Sequence, residues 1–277
     1  MEKVPICASC IGMDFHNPVL SSDKKIPKWL ENFNHVRDFI TKKKQFKLQK
    51  KKGNDIFPIS IQVADKYKGK YVLYWASNPT KNELKMKSAR EAYGKFQNSG
   101  ISCVSDKGIL KIYIKCPQNY RTTVEGKDHE DTFYRHVHFL FQKNEREWNP
   151  KKIYTKIVTC NVSKNELKNH ILFNTLPEKE YNKEHIPNSF LLNAEMVKKM
   201  KRKDLHHYIN KLIKDYYPKI EKAVKNKNVE WYAVPIILYC KSSSCHASEK
   251  CLEELYKKGM VNIKIYKGGM KDYKKSN

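Results

Sequence analysis

The chain has 277 residues, 40% of them hydrophobic and 12% aromatic, which is enough apolar mass for two ordinary domains and excludes a disordered polymer. Its formal net charge is +26, but only six of the 55 basic residues are Arg, the side chain that grips phosphates and base edges in bidentate fashion. A Lys excess of this kind follows from AT-rich codon usage; it disfavours sequence-specific nucleic-acid recognition and leaves nonspecific attraction to polyanions.

No apolar run approaches the roughly 18 residues a membrane helix needs, and the first residues lack an uninterrupted apolar signal core. The expectation is a soluble, cytoplasmic protein without a membrane partner. Its eight cysteines then argue for reduced thiols, metal ligation or catalysis ahead of a disulfide scaffold.

Residues 1–55 are an N-terminal segment and basic linker. Cys7-Ala-Ser-Cys10 has the spacing of half a zinc site with His16 beyond it, but the second CxxC is missing, so a free thiol pair is expected. Ile26 to Ile40 predicts an amphipathic helix, and Thr41 to Asp55 a solvated basic stretch. Residues 56–153 read as a separate mainly-β domain. IFPISIQV, KYVLYWA, GILKIYIKC and YRHVHFLFQK are β-rich, with turn signals at Asn78-Pro79, Asp106-Lys-Gly108 and Asn149-Pro150. One helix is predicted there, over Asn82 to Phe96. His136 and His138, two apart on a predicted strand, project to one face. They are either a buried polar pair or ligands for Zn, Cu or Fe, with Tyr120, Cys116 and His129 as further candidate ligands. No cofactor is required; a metal ion in this domain is the one candidate.

Residues 155–277 change rhythm to α/β. NELKNHILFN predicts a helix feeding a strand. The run from Leu205 to Val224 places Leu205, Tyr208, Ile209, Leu212, Ile213 and Tyr216 on one helical face. Val234-Pro-Ile-Ile-Leu-Tyr239 and NIKIYK predict buried strands on either side of a loop and helix, hence a parallel sheet flanked by helices. Cys240 stands where the first of these strands ends, ahead of Lys241, Ser242, Ser243, Ser244, Cys245 and His246. Ala247, Cys251, Leu252 and Leu255 then recur at helical spacing, with Cys251 on the core face. Small serines let such a loop curl, so that the amides of Lys241 to Cys245 and the helix N-terminus form an anion cradle around the Cys240 sulfur. With Lys241 and His246 nearby, this predicts a thiol pKa depressed from about 8.5 into a range of about 3.5–7.5.

Three pieces in order give this half a family likeness: Glu180-Tyr181 followed by His185-Ile186-Pro187; Cys240 with its loop; and Gly268-Gly269 followed by Tyr273. The segment resembles a rhodanese homology domain, an α/β fold. The resemblance implies a sulfurtransferase with Cys240 as nucleophile. It would take sulfane sulfur from thiosulfate or a persulfide and pass it to a thiol, on a small molecule or a protein, or to another nucleophilic acceptor. The chain departs from the family at Asn174-Thr175-Leu176, which stands where an Asp-Val-Arg is usual, and in a longer loop. Two alternatives stay open: an inactive interaction or regulatory module with a basic surface, and a phosphatase-like use of the loop, which the absence of a loop Arg disfavours. Cys245 is either a resolving thiol for Cys240 or a packing residue. The fusion and the Lys/Asn-rich composition fit a large DNA virus infecting a protist, with the protein in the host cytoplasm or the virion.

Overall fold

The computed structural model describes residues 19–21, 40, 55–123, 130–144 and 147–275. The Cys7/Cys10 pair with His16, nearly all of the helix expected to end at Ile40, the basic stretch before Asp55, and His129 lie outside the described residues. The chain divides into two compact units: one takes in Asn82–Met86 and the chain from Thr159 onward, and the other runs up to Lys81 and resumes over Lys87–Val158.

The N-terminal unit carries β1 (Val19–Ser21), β2 (Ile56–Gln62), β3 (Tyr71–Ala76), β4 (Lys87–Ser88), α1 (Ala89–Tyr93), β5 (Ser99–Cys103), β6 (Ile109–Lys115), β7 (Tyr120–Thr123), β8 (Glu130–Thr132), β9 (His136–Asn144) and β10 (Glu147–Ile157). An antiparallel sheet runs in the order β1-β10-β9-β3-β5, β2 pairs with β6, and β4-β7-β8 form a small third sheet. Alternation along β9 puts His136, His138 and Leu140 on one face and Val137, Phe139 and Phe141 on the other, and both faces are buried. The first face belongs to a core with Leu73, Trp75, Tyr93, Phe96, Tyr120 and Trp148.

The helix predicted over Asn82 to Phe96 is much shorter. Ser88 and Glu91 form a capping box that starts α1 at Ala89, and Gly94, with φ at +50°, terminates it. Local capping chemistry, which a hydrophobic pattern does not register, sets both ends.

The C-terminal unit carries β11 (Ile171–Asn174), α2 (Glu178–Lys183), β12 (Phe190–Leu191), α3 (Ala194–Lys199), α4 (Arg202–Tyr216), α5 (Pro218–Lys225), β13 (Ile236–Tyr239), α6 (Ala247–Lys257), β14 (Ile263–Tyr266) and α7 (Gly269–Lys275). Its sheet is parallel throughout, in the order β12-β11-β13-β14. Strands β11, β13 and β14 are buried at every position and apolar at all but Asn174, Lys264 and the tyrosines that end β13 and β14. That is the pattern of strands covered on both faces. Strand β13 therefore lies between two neighbours, and its C-terminal end delivers Cys240 to the end of the sheet where ligands collect in open α/β folds. The expected Leu205 to Val224 helix is two helices, because Pro218 at the first position of α5 cannot continue α4. Leu205, Ile209, Leu212 and Ile213 are buried as predicted, while Tyr216 is 61% exposed next to that break. Among the described residues, no helix is long and apolar enough to cross a membrane.

Candidate active site

Three segments converge on the C-terminal end of β13. The first is the hydroxyl of Tyr239. It accepts the Ile186 amide at 2.9 Å and the Asn174 side-chain amide at 3.2 Å, and lies 2.7 Å from Ser189 Oγ. Tyr181 donates to the Ser189 carbonyl at 2.9 Å and stacks on His185, with centroids 4.3 Å apart. Ile186 thus holds the strand that carries Cys240 directly, and Tyr181, stacked on His185, supports it through the Ser189 segment. Asn174 also accepts the Leu176 amide through Oδ1 at 2.9 Å. A carboxylate there could take that amide but could not donate to Tyr239.

The second segment is the glycine pair. Met270 and Lys271 donate their amides to the Cys240 and Lys241 carbonyls, each at 3.0 Å. Gly269 has φ at +59°, and a Cβ on it would collide with the Cys240 carbonyl. The close approach of two backbones requires glycine here. Tyr273 packs beside Met270, Tyr239 and Tyr266.

The third is the loop with the start of α6. The Cys240 thiol is 3% exposed and faces the carbonyls of Cys245, at 3.2 Å, and Ser242, at 3.7 Å. Burial pushes its pKa up; the hydroxyl and amide of Ser248 donate to the sulfur and oppose the rise, and Cys245 adds to it. Cys245 is shifted the other way. Burial opposes its ionisation, but the Ala247 amide, the Cys240 thiol proton and the Lys241 amide outweigh that effect, so its pKa is lowered. Of the expected cradle around Cys240, the start of α6 contributes the Ser248 amide, whereas the Cys245 amide is tied to the Ser242 carbonyl at 3.0 Å and the Lys241 amide serves the Cys245 sulfur. Of the pair, Cys245 is the thiol that ionises more readily and Cys240 the one that holds its proton more tightly. Lys241, Ser243, Ser244 and His246 are exposed, and Ser242 and Ser244 contact each other at 3.1 Å through their hydroxyls.

Sequence reasoning missed Ser248, a buried hydroxyl one turn before Cys251 on the apolar stripe of α6. Thr175 spends its single proton on the Tyr239 carbonyl at 3.0 Å. Its contact with Ser248 at 3.2 Å therefore has Ser248 donating. The Ser248 proton has two takers, Thr175 and the Cys240 sulfur, and an anion on that sulfur draws it away from Thr175. A polar residue on an apolar stripe just past a loop was the available signal. Cys251 is fully buried and donates to the Leu192 carbonyl at 3.2 Å, a core role.

The expectation that the cysteines are reduced holds for Cys103, Cys240, Cys245 and Cys251, but Cys116 and Cys160 are disulfide-bonded. A bridged sulfur has no thiolate to offer, which removes Cys116 as a metal ligand.

Residues 159–276 match the family model described as Rhodanese-like domain. Comparison with curated proteins finds no match. Among the solved structures that match is one titled "Crystal structure of N-terminal domain of putative ATP/GTP binding protein from Clostridium difficile 630". It is 19% identical, covers 43% of this chain and 98% of that chain, and has a TM-score of 0.25.

Proposed function

We propose, because residues 159–276 match the family model described as Rhodanese-like domain, that the protein is a sulfurtransferase that carries sulfane sulfur as a persulfide on Cys240. The observation that supports this most is the thiol pair at the end of β13. Cys240 holds a proton that Cys245 is placed to take, and Ser248 is placed to donate to the resulting anion. As the Cys240 sulfur attacks the outer sulfur of thiosulfate, its proton passes to Cys245. The new S–S bond forms, the donor's S–S bond breaks, and sulfite leaves with that bond's electron pair. A thiolate acceptor then takes the outer sulfur and Cys240 departs as thiolate, stabilised by Ser248. Where no acceptor arrives, Cys245 returns the proton to the outer sulfur of the Cys240 persulfide and, as thiolate, attacks the inner sulfur, closing a Cys240–Cys245 disulfide and expelling hydrosulfide.

A noncatalytic module is the second reading, favoured by the 3% exposure and raised pKa of Cys240. The variant Cys240→Ser decides between them. Sulfur transfer from thiosulfate or a persulfide to a thiol disappears in this variant if the first reading holds. Under the second, the unaltered protein transfers no sulfur, and the variant binds its partner and folds as before.

A further inference from the structure

We propose that Tyr93, Tyr120, His136 and His138 in the N-terminal unit form a closed binding site for one first-row transition-metal ion of the class that accepts imidazole and phenolate ligands, iron(III) or copper(II). The side chains come from α1, β7 and β9 and are 1%, 5%, 6% and 1% exposed. His136 Nε2 lies 2.8 Å from Tyr120 Oη, 3.0 Å from His138 Nε2 and 3.3 Å from Tyr93 Oη, and the two phenol oxygens are 3.0 Å apart. Ligands about 2.0–2.1 Å from a shared ion stand about 2.8–3.0 Å apart at right angles and about 3.3–3.4 Å apart in a tetrahedron. These four of the six pairwise separations fall in that span.

Hydrogen bonding alone fits the cluster poorly. His136 Nδ1 meets the Tyr134 carbonyl at 2.7 Å, which only accepts, so Nδ1 carries the proton and Nε2 presents one bare lone pair. Three polar atoms crowd that single lone pair. His138 Nδ1 is held at 2.8 Å by Thr155 Oγ1. Both imidazoles thus have the outer partners that orient metal-binding histidines. The described residues place no group of three or more His, Cys, Asp and Glu to hold a metal, and the set proposed is two imidazoles with two phenols. All four ligands are buried, so a bound ion would staple α1, β7 and β9 together. On binding, the phenolic protons leave to solvent.

The test uses full-length protein freed of metal by chelation, with Cys7, Cys10, Cys240 and Cys245 replaced by Ser so that thiols do not compete. It is titrated with copper(II), and separately with iron(III) supplied as citrate. The expected result is one equivalent bound, a visible phenolate-to-metal charge-transfer band and a raised Tm. Tyr120→Phe should diminish the band, and His138→Gln should weaken binding at least tenfold. Tyr93→Phe and Tyr120→Phe keep the ring packing, so at least one ligand variant remains folded by circular dichroism. Two results would overturn the proposal: no metal bound by the folded protein, or the same affinity and spectrum in the ligand variants as in their parent.

Discussion

Ser248 holds one proton between two acceptors, so it sets how readily Cys240 ionises. Hydrogen bonds to charged groups contribute about 1.5–3 kcal/mol, and Ser248→Ala should slow persulfide formation on Cys240 by roughly 10–100-fold while leaving the fold intact, measured by single-turnover kinetics with thiosulfate. The opposite shifts of the two thiols give a second prediction. Thiolate is the reactive form; Cys245, with its lowered pKa, should be alkylated by iodoacetamide at a lower pH than Cys240, whose pKa is raised. Peptide mapping across a pH series reads the order directly, and Cys240 labelling first would contradict it. The position of Cys240 was legible because an apolar strand ending in Cys before a run of serines has few other meanings. Which sulfur the amides serve was not. Loop direction is fixed by Met270 and Lys271 holding the carbonyls of Cys240 and Lys241, and no pattern within the loop records a clamp about 30 residues away. Tyr93 escaped notice for a similar reason: it reads as an apolar helix residue and reaches His136 only through tertiary packing.

The elements clamping the loop depend on Gly269. Replacing it with Ala adds left-handed backbone strain to a collision with the Cys240 carbonyl. The expected loss is about 2 kcal/mol or more of stability, from denaturant unfolding, with sulfur transfer falling as well because the loop moves. Strand β9 supplies a pH prediction for the metal-free protein. Burial lowers the His136 pKa from the usual imidazole value of 6.5 to about 4, and His138 is lowered too. Between those values the unfolded chain binds more protons than the folded one, so stability falls as pH drops from about 6.5 toward 4. Thermal unfolding of the N-terminal unit measured over that range checks the sign. The strands were readable because alternation and β-branched runs state their period openly. The boundaries of α1 and the break between α4 and α5 were less so, since one capping box and one proline override the hydrophobic period.

For the whole molecule, the +26 charge is a property of composition and carries its own consequence. Retention on heparin or on nucleic acids of unrelated sequence should weaken steeply with salt and differ little between sequences, because Lys contacts with phosphate release counterions without reading bases. A strong preference for one sequence would contradict this. The rhodanese-like half was recognisable because its three motifs are local, ordered and separated by the intervals the fold demands. The N-terminal half offered only strand periodicity and a His-x-His, and its four-residue cluster becomes visible only when α1 and β7 are brought against β9.

The most direct measurement of the central claim is the mass of the Cys240 peptide after incubation with thiosulfate, in the unaltered protein and in Cys245→Ser. The account predicts the added mass of one sulfur atom on Cys240, transient when Cys245 is present to displace it as hydrosulfide and persistent when Cys245 is replaced. A folded protein whose Cys240 gains no sulfur from thiosulfate or a persulfide in either form would contradict it.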